Sequence, residues 1–535
     1  MRRWAALAMV AGLVAAGCSS SSDSQGVVST SAAPTSAASE PGTTAAGTDD
    51  STTTTASAGP VSLVVGVDTD PPSLDPAGNT SSFTAGSVLL AVFDVLMLPS
   101  EQGGPPEPML LESLTEAPDR LSWELKLRPG LTFSDGTPLD AEAVKFNLDR
   151  QKVSIYNSPA LEPVTAIEVI DPLTVVLRLQ KPWVAMPSAL SGVVGLMASP
   201  TAVQERGEQF GRNPVGAGAF VFEEWAPNDH ITVKKNPSYQ GRDPAVVDEI
   251  EFRFISEENA RVAALKAGDI DAMTGIVQDN IDALAGDSAF QVVDPPTQGY
   301  GLAWINTTKP GLDDARVRRA LDLAVDRDAI AEAFDGDSYA ETGWGPFPRD
   351  NPWFLEPDPP PSFDPDEARR LLAEYGQPVS LTYKSFATPQ SVVDQIKATI
   401  DYWKAVGIDA QLEIVPDATQ LVTDVVLGNF DMASWANGTG LEPDTVLYPF
   451  FHSAGSRNFS KFSNAEVDAA LEAGRSEADP VKRKEHYDTV QRLLREQMPV
   501  LFSQFGSIFV AGRAELTGID APVAFFPSRT VGVAG

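Results

Sequence analysis

The stretch LSWELKLRPGLTFSDGTPLDAEAVKFNLDR, residues 121–150, decides the fold class of this chain. Its opening SWELKLR alternates apolar and charged residues, which is typical of a strand with one buried face. Pro-Gly and Asp-Gly turn signals follow this alternation. Asp140 then stands where its side chain can cap a helix over residues 141–150. A strand, two turns and a helix in so short a segment indicate a mixed α/β fold.

The same mixture continues on both sides of this stretch. Alternating or β-rich runs predict strands at residues 61–67, 249–255 and 408–414, and a hairpin over 167–179. Apolar residues at helical spacing predict helices at 88–97 and 313–324. Further helices are predicted at 257–267 and 392–406, and a charged helix at 482–495. The prediction is an α/β protein rather than an all-α or all-β one. On the helix over 313–324, Arg316, Arg318 and Arg319 are expected to face solvent.

Length and charge limit the classes of protein. With 535 residues the chain is too long for one ordinary hydrophobic core, so two or more domains are expected. The 73 acidic residues outnumber the 39 basic ones, and the formal net charge is −34. Such a surface repels phosphates, which argues against nucleic-acid binding.

The first 18 residues, MRRWAALAMVAGLVAAGC, read as a secretory signal. Two arginines precede an apolar stretch that is too short to span a membrane. Small residues lead into Cys18, the single cysteine of the chain. This pattern predicts a lipobox in which the Cys18 thiol carries the lipid and becomes the mature N-terminus. The alternative is a plain signal peptide in which Cys18 occurs by chance.

Residues 19–60 differ sharply in composition from the rest of the chain. They are rich in Ser, Thr, Ala and Gly, and residues 19–59 contain no aromatic residue, leucine or isoleucine. Such a segment buries too little apolar surface to offset its chain entropy. We therefore expect a disordered tether between a lipid anchor and a folded part that starts near residue 61.

Five sequence blocks carry a resemblance to a known family. They are the opening stretch 121–150, NPVGAGAFVFEEW with KKNPSYQGRDPAVVDEIEFRFI (213–225 and 234–255), LKAGDIDAM (265–273), INTTKPGLDDARVRRALDLAVDRDAI (305–330) and GNFDMASWANGTGLEPD (428–444). In this order they resemble the family 5 extracellular solute-binding proteins. That family is the dipeptide, oligopeptide and nickel-binding group of ABC importers.

The resemblance implies a two-lobed, periplasmic-binding-protein-like (Venus flytrap) fold with two crossovers. Mapped onto this chain, lobe I covers 61–298 and 505–535, and lobe II covers 307–500. A subdomain over about 97–200 is inserted in lobe I. The crossovers are then expected near Ala303 to Asn306 and near Ser503 to Gly506.

The implied function is capture of a solute between the lobes. Ligand contacts to both lobes favour a closed form, which a membrane permease recognises. Peptides are the favoured ligand, and the permease and ATPase of an importer are the expected partners of this monomer. It is expected to be no enzyme, to need no cofactor or metal, and to be held at the outer face of the cytoplasmic membrane. The alternatives are an oligosaccharide, a modified peptide or a metal chelate as ligand, or a role as a ligand sensor.

Aromatic walls and amide groups are the side chains that an extended peptide requires. Six residues near lobe edges, crossovers or loops of the mapped fold meet this description: Phe83, Trp304, Asn306, Trp344, Trp435 and Asn437. For each aromatic residue the alternative is ordinary core packing. For the two asparagines the alternative is capping of a turn or of backbone groups.

One departure from the family pattern concerns the fifth block. Peptide binders of this family carry an Asp shortly after the Trp, and it pairs with the α-amine of the ligand. That position falls here at Gly438 or Thr439, neither of which has a carboxylate. Glu442 and Asp444 instead resemble an acidic pair that flanks a proline and is structural. Capture of an α-amine is therefore not implied for this chain.

Overall fold

The fold is taken from a computed structural model of the chain. The described residues are 60–78, 82–99, 105–242, 244–276, 278–293, 299–335, 341–358, 362–387, 390–438, 442–506, 509–520 and 526–534. Cys18 with its signal, the tether up to residue 59 and Thr439 lie outside them. Expectations for those positions therefore stay predictions.

A seven-stranded sheet, called sheet 1, has parallel strands at its centre. Ser62–Val67 pairs in parallel with both of its neighbours, and its Leu63, Val65 and Val67 side chains are buried. A parallel strand in the middle of a sheet is covered on both faces, which explains its β-branched, apolar sequence. In spatial order the strands of sheet 1 are Phe290–Val293, Phe509–Arg513, Ala272–Ile276, Ser62–Val67, Glu249–Phe254, His230–Lys235 and Phe220–Ala226.

A six-stranded sheet, called sheet 2, is built from the second half of the chain. Its central strand, Gly299–Ile305, runs antiparallel to both neighbours. In spatial order the strands of sheet 2 are Glu341–Thr342, Val500–Gly506, Gly299–Ile305, Met432–Gly438, Ser380–Phe386 and Asp409–Val415.

The stretch that decided the fold class lies in a third, antiparallel sheet and the helix beside it. In spatial order the strands of sheet 3 are Leu111–Glu116, Ser122–Leu127, Thr174–Leu179 and Val164–Asp171. The predicted strand and hairpin are confirmed. The helix is confirmed too, since Asp140 accepts a hydrogen bond from the Ala143 amide and the helix runs over Ala141–Val153.

Helices cover the sheets. In chain order the α-helices are Phe83–Val92, Ala141–Val153, Met186–Ala189, Pro200–Arg206, Glu258–Ala267, Gln278–Ala285, Ala315–Leu323, Arg327–Asp335, Pro365–Tyr375, Gln390–Ala405, Ala418–Leu427, Pro443–Phe451, Ala465–Ser476 and Pro480–Gln497. Two short ribbons pair Met97–Leu98 with Glu107–Pro108 and Leu516–Thr517 with Gly532–Val533. Across the described residues, no helix has the length and apolar character needed to cross a membrane.

The hydrophobic cores follow the two halves. One large core joins sheets 1 and 3, and a smaller one lies on sheet 1 beside the helix Glu258–Ala267. The two faces of sheet 2 carry a core each. We call residues 60–293 with 509–534 the first lobe and residues 299–506 the second lobe. The predicted two-lobed α/β fold is thereby confirmed.

The predicted crossover positions were wrong by a few residues. Ala303 to Ile305 lie inside the central strand of sheet 2, and Ser503 to Gly506 lie in its neighbour. The chain leaves sheet 1 after Val293 and enters sheet 2 at Gly299, and it returns between Gly506 and Phe509. Apolar alternation runs through both strands, so the sequence pattern alone does not show where the lobe changes.

Two further predictions need correction. The helix expected over 88–97 is Phe83–Val92, because Ser82 caps it by accepting from the Ala85 amide. Arg318 was expected on a solvated face but is 4% exposed. Its guanidinium donates to the carbonyls of Leu312 and Gln497, which ties its helix to the end of the long helix Pro480–Gln497.

Candidate functional site

The edge of sheet 2 beside the crossovers carries one group of predicted residues. Tyr300 lies directly opposite Asn437 in the strand register, one residue from the point where the chain enters the second lobe. Asn437 Nδ2 donates to the Tyr300 hydroxyl at 3.3 Å. Burial raises the pKa of Tyr300 to about 12, although the Asn437 hydrogen bond lowers it, so the hydroxyl stays neutral.

Trp435 stands on the same face of the sheet, since it lies opposite Leu302 and two residues from Asn437. Its Nε1 donates to Asn437 Oδ1 at 3.0 Å. Its ring contacts Phe459, with 5.4 Å between the centroids. Tyr300, Trp435 and Asn437 therefore form one connected, half-polar wall beside the crossovers. We call these three residues the sheet 2 wall.

Trp304 lies beside this wall on the same face of sheet 2. It is 0% exposed, and its ring stacks on Phe450 at 5.6 Å and meets Phe459 edge-on. Core packing, the alternative weighed for this residue, describes its position. The reason lies in the strand, whose alternation turns Tyr300, Leu302 and Trp304 into the same core.

Asn306 has a capping role rather than an open polar face. Its Nδ2 donates to the carbonyls of Gly428 and Phe430, and its Oδ1 accepts from both the amide and the hydroxyl of Thr308. The side chain is 2% exposed. Its donors and its acceptor are all used within the second lobe, so a contact with solute is not expected from it.

Trp344 and Phe83 belong to segments of the chain other than the two strands that carry the sheet 2 wall. Trp344 is half-buried, and the guanidinium of Arg327 stacks over its ring at 4.7 Å. Arg327 is itself held by Asp322 at 2.6 Å and by the Phe502 carbonyl at 2.9 Å. Phe83 is the half-buried first residue of its helix on the first lobe, whereas the other five candidates belong to the second lobe.

A cavity of ≈ 200 Å³ lies between the lobes. The first lobe contributes Tyr156, Asn157 and Trp183 to its lining, among others. The second lobe contributes Asp444, Thr445, Phe450, Arg457 and Arg475, among others. Phe450 also packs against Phe459, which contacts Trp435, so neighbouring aromatic rings join the cavity to the sheet 2 wall. A small molecule in this cavity would touch both lobes.

Hydrogen bonds connect the two lobes beside the cavity. Trp183 Nε1 donates to Asp444 Oδ2 at 2.8 Å, and the Val184 amide donates to the Arg475 carbonyl at 3.1 Å. Two ion pairs also cross it, Arg475–Glu162 at 2.8 Å and Lys181–Glu472 at 2.9 Å. We call this set of cross-lobe contacts the junction. The junction holds the two lobes in direct contact.

The acidic pair that flanks Pro443 is fully engaged in the protein. Glu442 binds the guanidinium of Arg483, and Asp444 binds Arg475 Nε at 2.9 Å as well as Trp183. Both carboxylates are buried, with 8% and 1% exposure. The prediction that this pair is structural agrees with these contacts, and neither carboxylate is left to receive the amine of a ligand.

Sequence reasoning missed several functional candidates. Tyr300 could have been found, because it alternates with Leu302 and Trp304 on one strand face. Tyr156, Trp183 and Arg457 had no local signal. They reach the cavity only because segments far apart in the chain meet at the junction.

The chain is similar in sequence to binding proteins of known function. The glutathione-binding protein GsiB of Salmonella paratyphi A is 29% identical over 433 residues, covering 77% of this chain and 82% of that protein. GsiB of Pectobacterium atrosepticum is 28% identical over 429 residues, with the same coverage.

Solved structures share the fold. The binding protein AgaA from A. tumefacien R10, in complex with agropinic acid, superposes with a TM-score of 0.78 at 24% identity, covering 89% of this chain and 99% of that one. DppA from Helicobacter pylori, in complex with the peptide STSA, gives 0.77 at 22% identity with the same coverage. Residues 105–458, more than half of the chain, match the model of the bacterial extracellular solute-binding proteins, family 5 middle region. The chain therefore belongs to the bacterial extracellular solute-binding proteins of family 5.

Proposed function

We propose that this protein captures a small peptide in the cavity between its lobes and presents it to the permease and ATPase of an ABC importer. The observation that carries the proposal is the cavity itself, because both lobes line it and cross-lobe hydrogen bonds adjoin it. A solute that contacts both lobes stabilises the closed form in proportion to its preference for that form. Closure then reports the loaded state.

Three features support a peptide as the solute. The sheet 2 wall has the half-buried aromatic ring of Trp435 beside the crossovers, held in place by Asn437, and such a surface suits the apolar side chains of an extended peptide. The Phe450 ring continues that surface into the cavity. The similar proteins named above as glutathione-binding handle a small peptide. A volume of ≈ 200 Å³ suits a short peptide better than a long one.

Native mass spectrometry of the full-length protein, purified without refolding, tests the proposal. A bound ligand at a hundredfold excess over Kd stabilises the closed form by about 2.7 kcal/mol, so copurified solute is expected to survive mild purification. Released molecules that fragment as amino-acid residues would support it. A single sugar, opine or metal chelate as the released species would overturn the peptide assignment.

A second proposal concerns the anchor. We propose that Cys18 is lipidated and that residues 19–60 tether the folded part to the outer face of the cytoplasmic membrane. The support is the charged, apolar and small-residue order that precedes Cys18. Growth of the producing cells with an alkyne-tagged fatty acid should label the wild type and leave Cys18→Ser unlabelled. Equal labelling of the two proteins, or none in the wild type, would contradict lipidation.

A further inference from the structure

We infer that Arg457 binds a carboxylate of the captured solute, so that this protein selects solutes carrying a negative group at that end of the cavity. The inference rests on the proposed capture between the lobes and adds the class of group that is recognised. It assigns the specificity to a cation of the second lobe and not to an acidic residue.

The position of Arg457 supports this role. Arg457 lines the interlobe cavity, and its Nη2 donates to the Tyr156 carbonyl on the first lobe. Its guanidinium lies 5.9 Å from the centroid of the Phe450 ring. The side chain is half-buried, and burial lowers the pKa of its guanidinium. The charge is therefore partly stripped of water and faces the space that a solute would fill.

The charge balance of the cavity points the same way. Three charged side chains line it, namely Asp444, Arg457 and Arg475. Arg475 is neutralised by Asp444 at 2.9 Å and by Glu162 at 2.8 Å. Among the described residues, Arg457 forms no ion pair, and its hydrogen bond goes to a neutral carbonyl. A half-buried cation without a counter-charge is costly, and a carboxylate from the solute would remove that cost.

This arrangement contrasts with the net charge of the chain, which is −34. In so acidic a protein most arginines find a carboxylate, as Arg483 does with Glu442 and Arg327 with Asp322. Within the described part of the chain, Arg457 has no carboxylate partner where the lobes meet. The acid expected after Trp435 is also missing at Gly438. The arginine without a counter-charge and the missing acid both favour a ligand that is held through its carboxylate rather than through its amine.

A pooled library of tripeptides with free C-terminal carboxylates, and the same library amidated, tests the inference. Native mass spectrometry measures how much of each library the full-length wild type, Arg457→Gln and Arg457→Lys retain. Arg369→Gln is the matched control, because Arg369 is an exposed arginine of the second lobe that pairs with Asp366. Circular dichroism melts establish that each variant is folded.

The expected result is selective. The wild type and Arg369→Gln should retain acid peptides at least about tenfold better than amides, equal to about 1.4 kcal/mol. Arg457→Gln should lose this preference while its retention of amides stays unchanged, and Arg457→Lys should keep part of it. If Arg457 served only to hold the lobes together through the Tyr156 carbonyl, Arg457→Gln would reduce the retention of acids and amides equally. That result would overturn the inference.

Two other outcomes are informative. Equal retention of acids and amides by the wild type would overturn the anion site while leaving peptide capture intact. Retention of neither library by the wild type would contradict the proposed function and, with it, the site that depends on it.

Discussion

The interior of the second lobe and the junction between the lobes both contain buried charges, but they use them differently. Inside the lobe, Glu442 and Arg483 pair with each other, and both residues belong to the second lobe, so this pairing does not need the first lobe. At the junction, Asp444 and Arg475 pair within the second lobe and also bind Trp183 and Glu162 of the first.

Glu442 and Asp444 are two positions apart in the sequence, yet the first contributes to stability and the second to function. A permanent pair contributes to folding, since its loss leaves a buried charge without compensation. A contact across the lobes is made only when they close, so it contributes to the closing equilibrium and hence to solute affinity. Substitutions in the two regions should therefore change different measurements.

The largest effect is expected inside the lobe. Glu442→Gln should lower the free energy of unfolding by about 3–5 kcal/mol, because it leaves the buried Arg483 guanidinium uncompensated. Urea denaturation followed by circular dichroism measures it. Glu374→Gln is the control, because Glu374 pairs with Arg370 on the surface, and its denaturation midpoint should match the wild type. A midpoint for Glu442→Gln equal to that of the control would show that the pair is not needed for folding.

The next effect is expected at the junction. Trp183→Phe removes the hydrogen bond to the Asp444 carboxylate, which also pairs with Arg475, so the affinity for a retained peptide should fall roughly tenfold to a hundredfold (about 1.5–3 kcal/mol). Isothermal titration calorimetry measures it.

Trp403→Phe is the matched control for the Trp183 variant. Trp403 is equally buried, but its Nε1 donates to the Leu321 carbonyl inside the second lobe. Trp403→Phe should lower the free energy of unfolding and leave the peptide affinity unchanged. An unchanged Kd for Trp183→Phe, or an equal loss of affinity in both variants, would break the distinction between the regions.

The sheet 2 wall and the capping residue Asn306 should respond differently to substitution. Trp435→Ala should weaken peptide binding by roughly fourfold to tenfold, because the half-buried ring contributes roughly half of the ~1.5–3 kcal/mol of a fully buried side chain. Asn306→Ala should instead lower the free energy of unfolding by about 1–3 kcal/mol, since two buried carbonyls lose their donor. Calorimetry and urea denaturation of both variants measure the two quantities. The reverse assignment of effects would refute the placement of the site.

The smallest effect is a pH dependence at the junction. Burial raises the pKa of Glu472, but hydrogen bonds from Lys181 and Tyr448 outweigh it and lower the pKa below the ordinary 4.5. Because Lys181 belongs to the first lobe, closed protein binds fewer protons at Glu472 than open protein does. Closure is therefore favoured above pH 4.5, and that contribution is lost as the pH falls through the lowered pKa.

Peptide affinity should accordingly weaken modestly below pH 4.5, and Glu472→Gln should flatten the profile. Lys181 is largely exposed to solvent, so the change is expected to be small. Titrations of both proteins from pH 3.5 to pH 6 test it, and the same slope in the variant would assign the titration to another group.

Local chemistry made much of the fold predictable. Asp140 indicated the start of a helix, because a carboxylate can accept a hydrogen bond from the amide three residues later. In the structure it accepts one from the Ala143 amide. Alternation announced the strands because one face is buried, as for Leu125 and Leu127. Family blocks then supplied the two-lobed arrangement, which no local pattern contains.

The site was harder to predict because its partners are far apart in the chain. Trp183 and Asp444 are separated by 261 positions, and neither has a local pattern that names the other. Alternation shows that Trp304 faces one side of its strand but not that helix Pro443–Phe451 covers that side. Arg318 looked solvated for the same reason, since only the fold brings the Gln497 carbonyl to it.

Capture of a solute requires that the two lobes close around it. Hydrogen–deuterium exchange of the full-length protein, with and without the tripeptide library, measures it directly. We expect peptide to slow exchange in both residues 156–184 and residues 442–476, including the Val184 amide that donates to Arg475. Protection confined to one of these segments, or absent from both while peptide is bound, would contradict capture between the lobes.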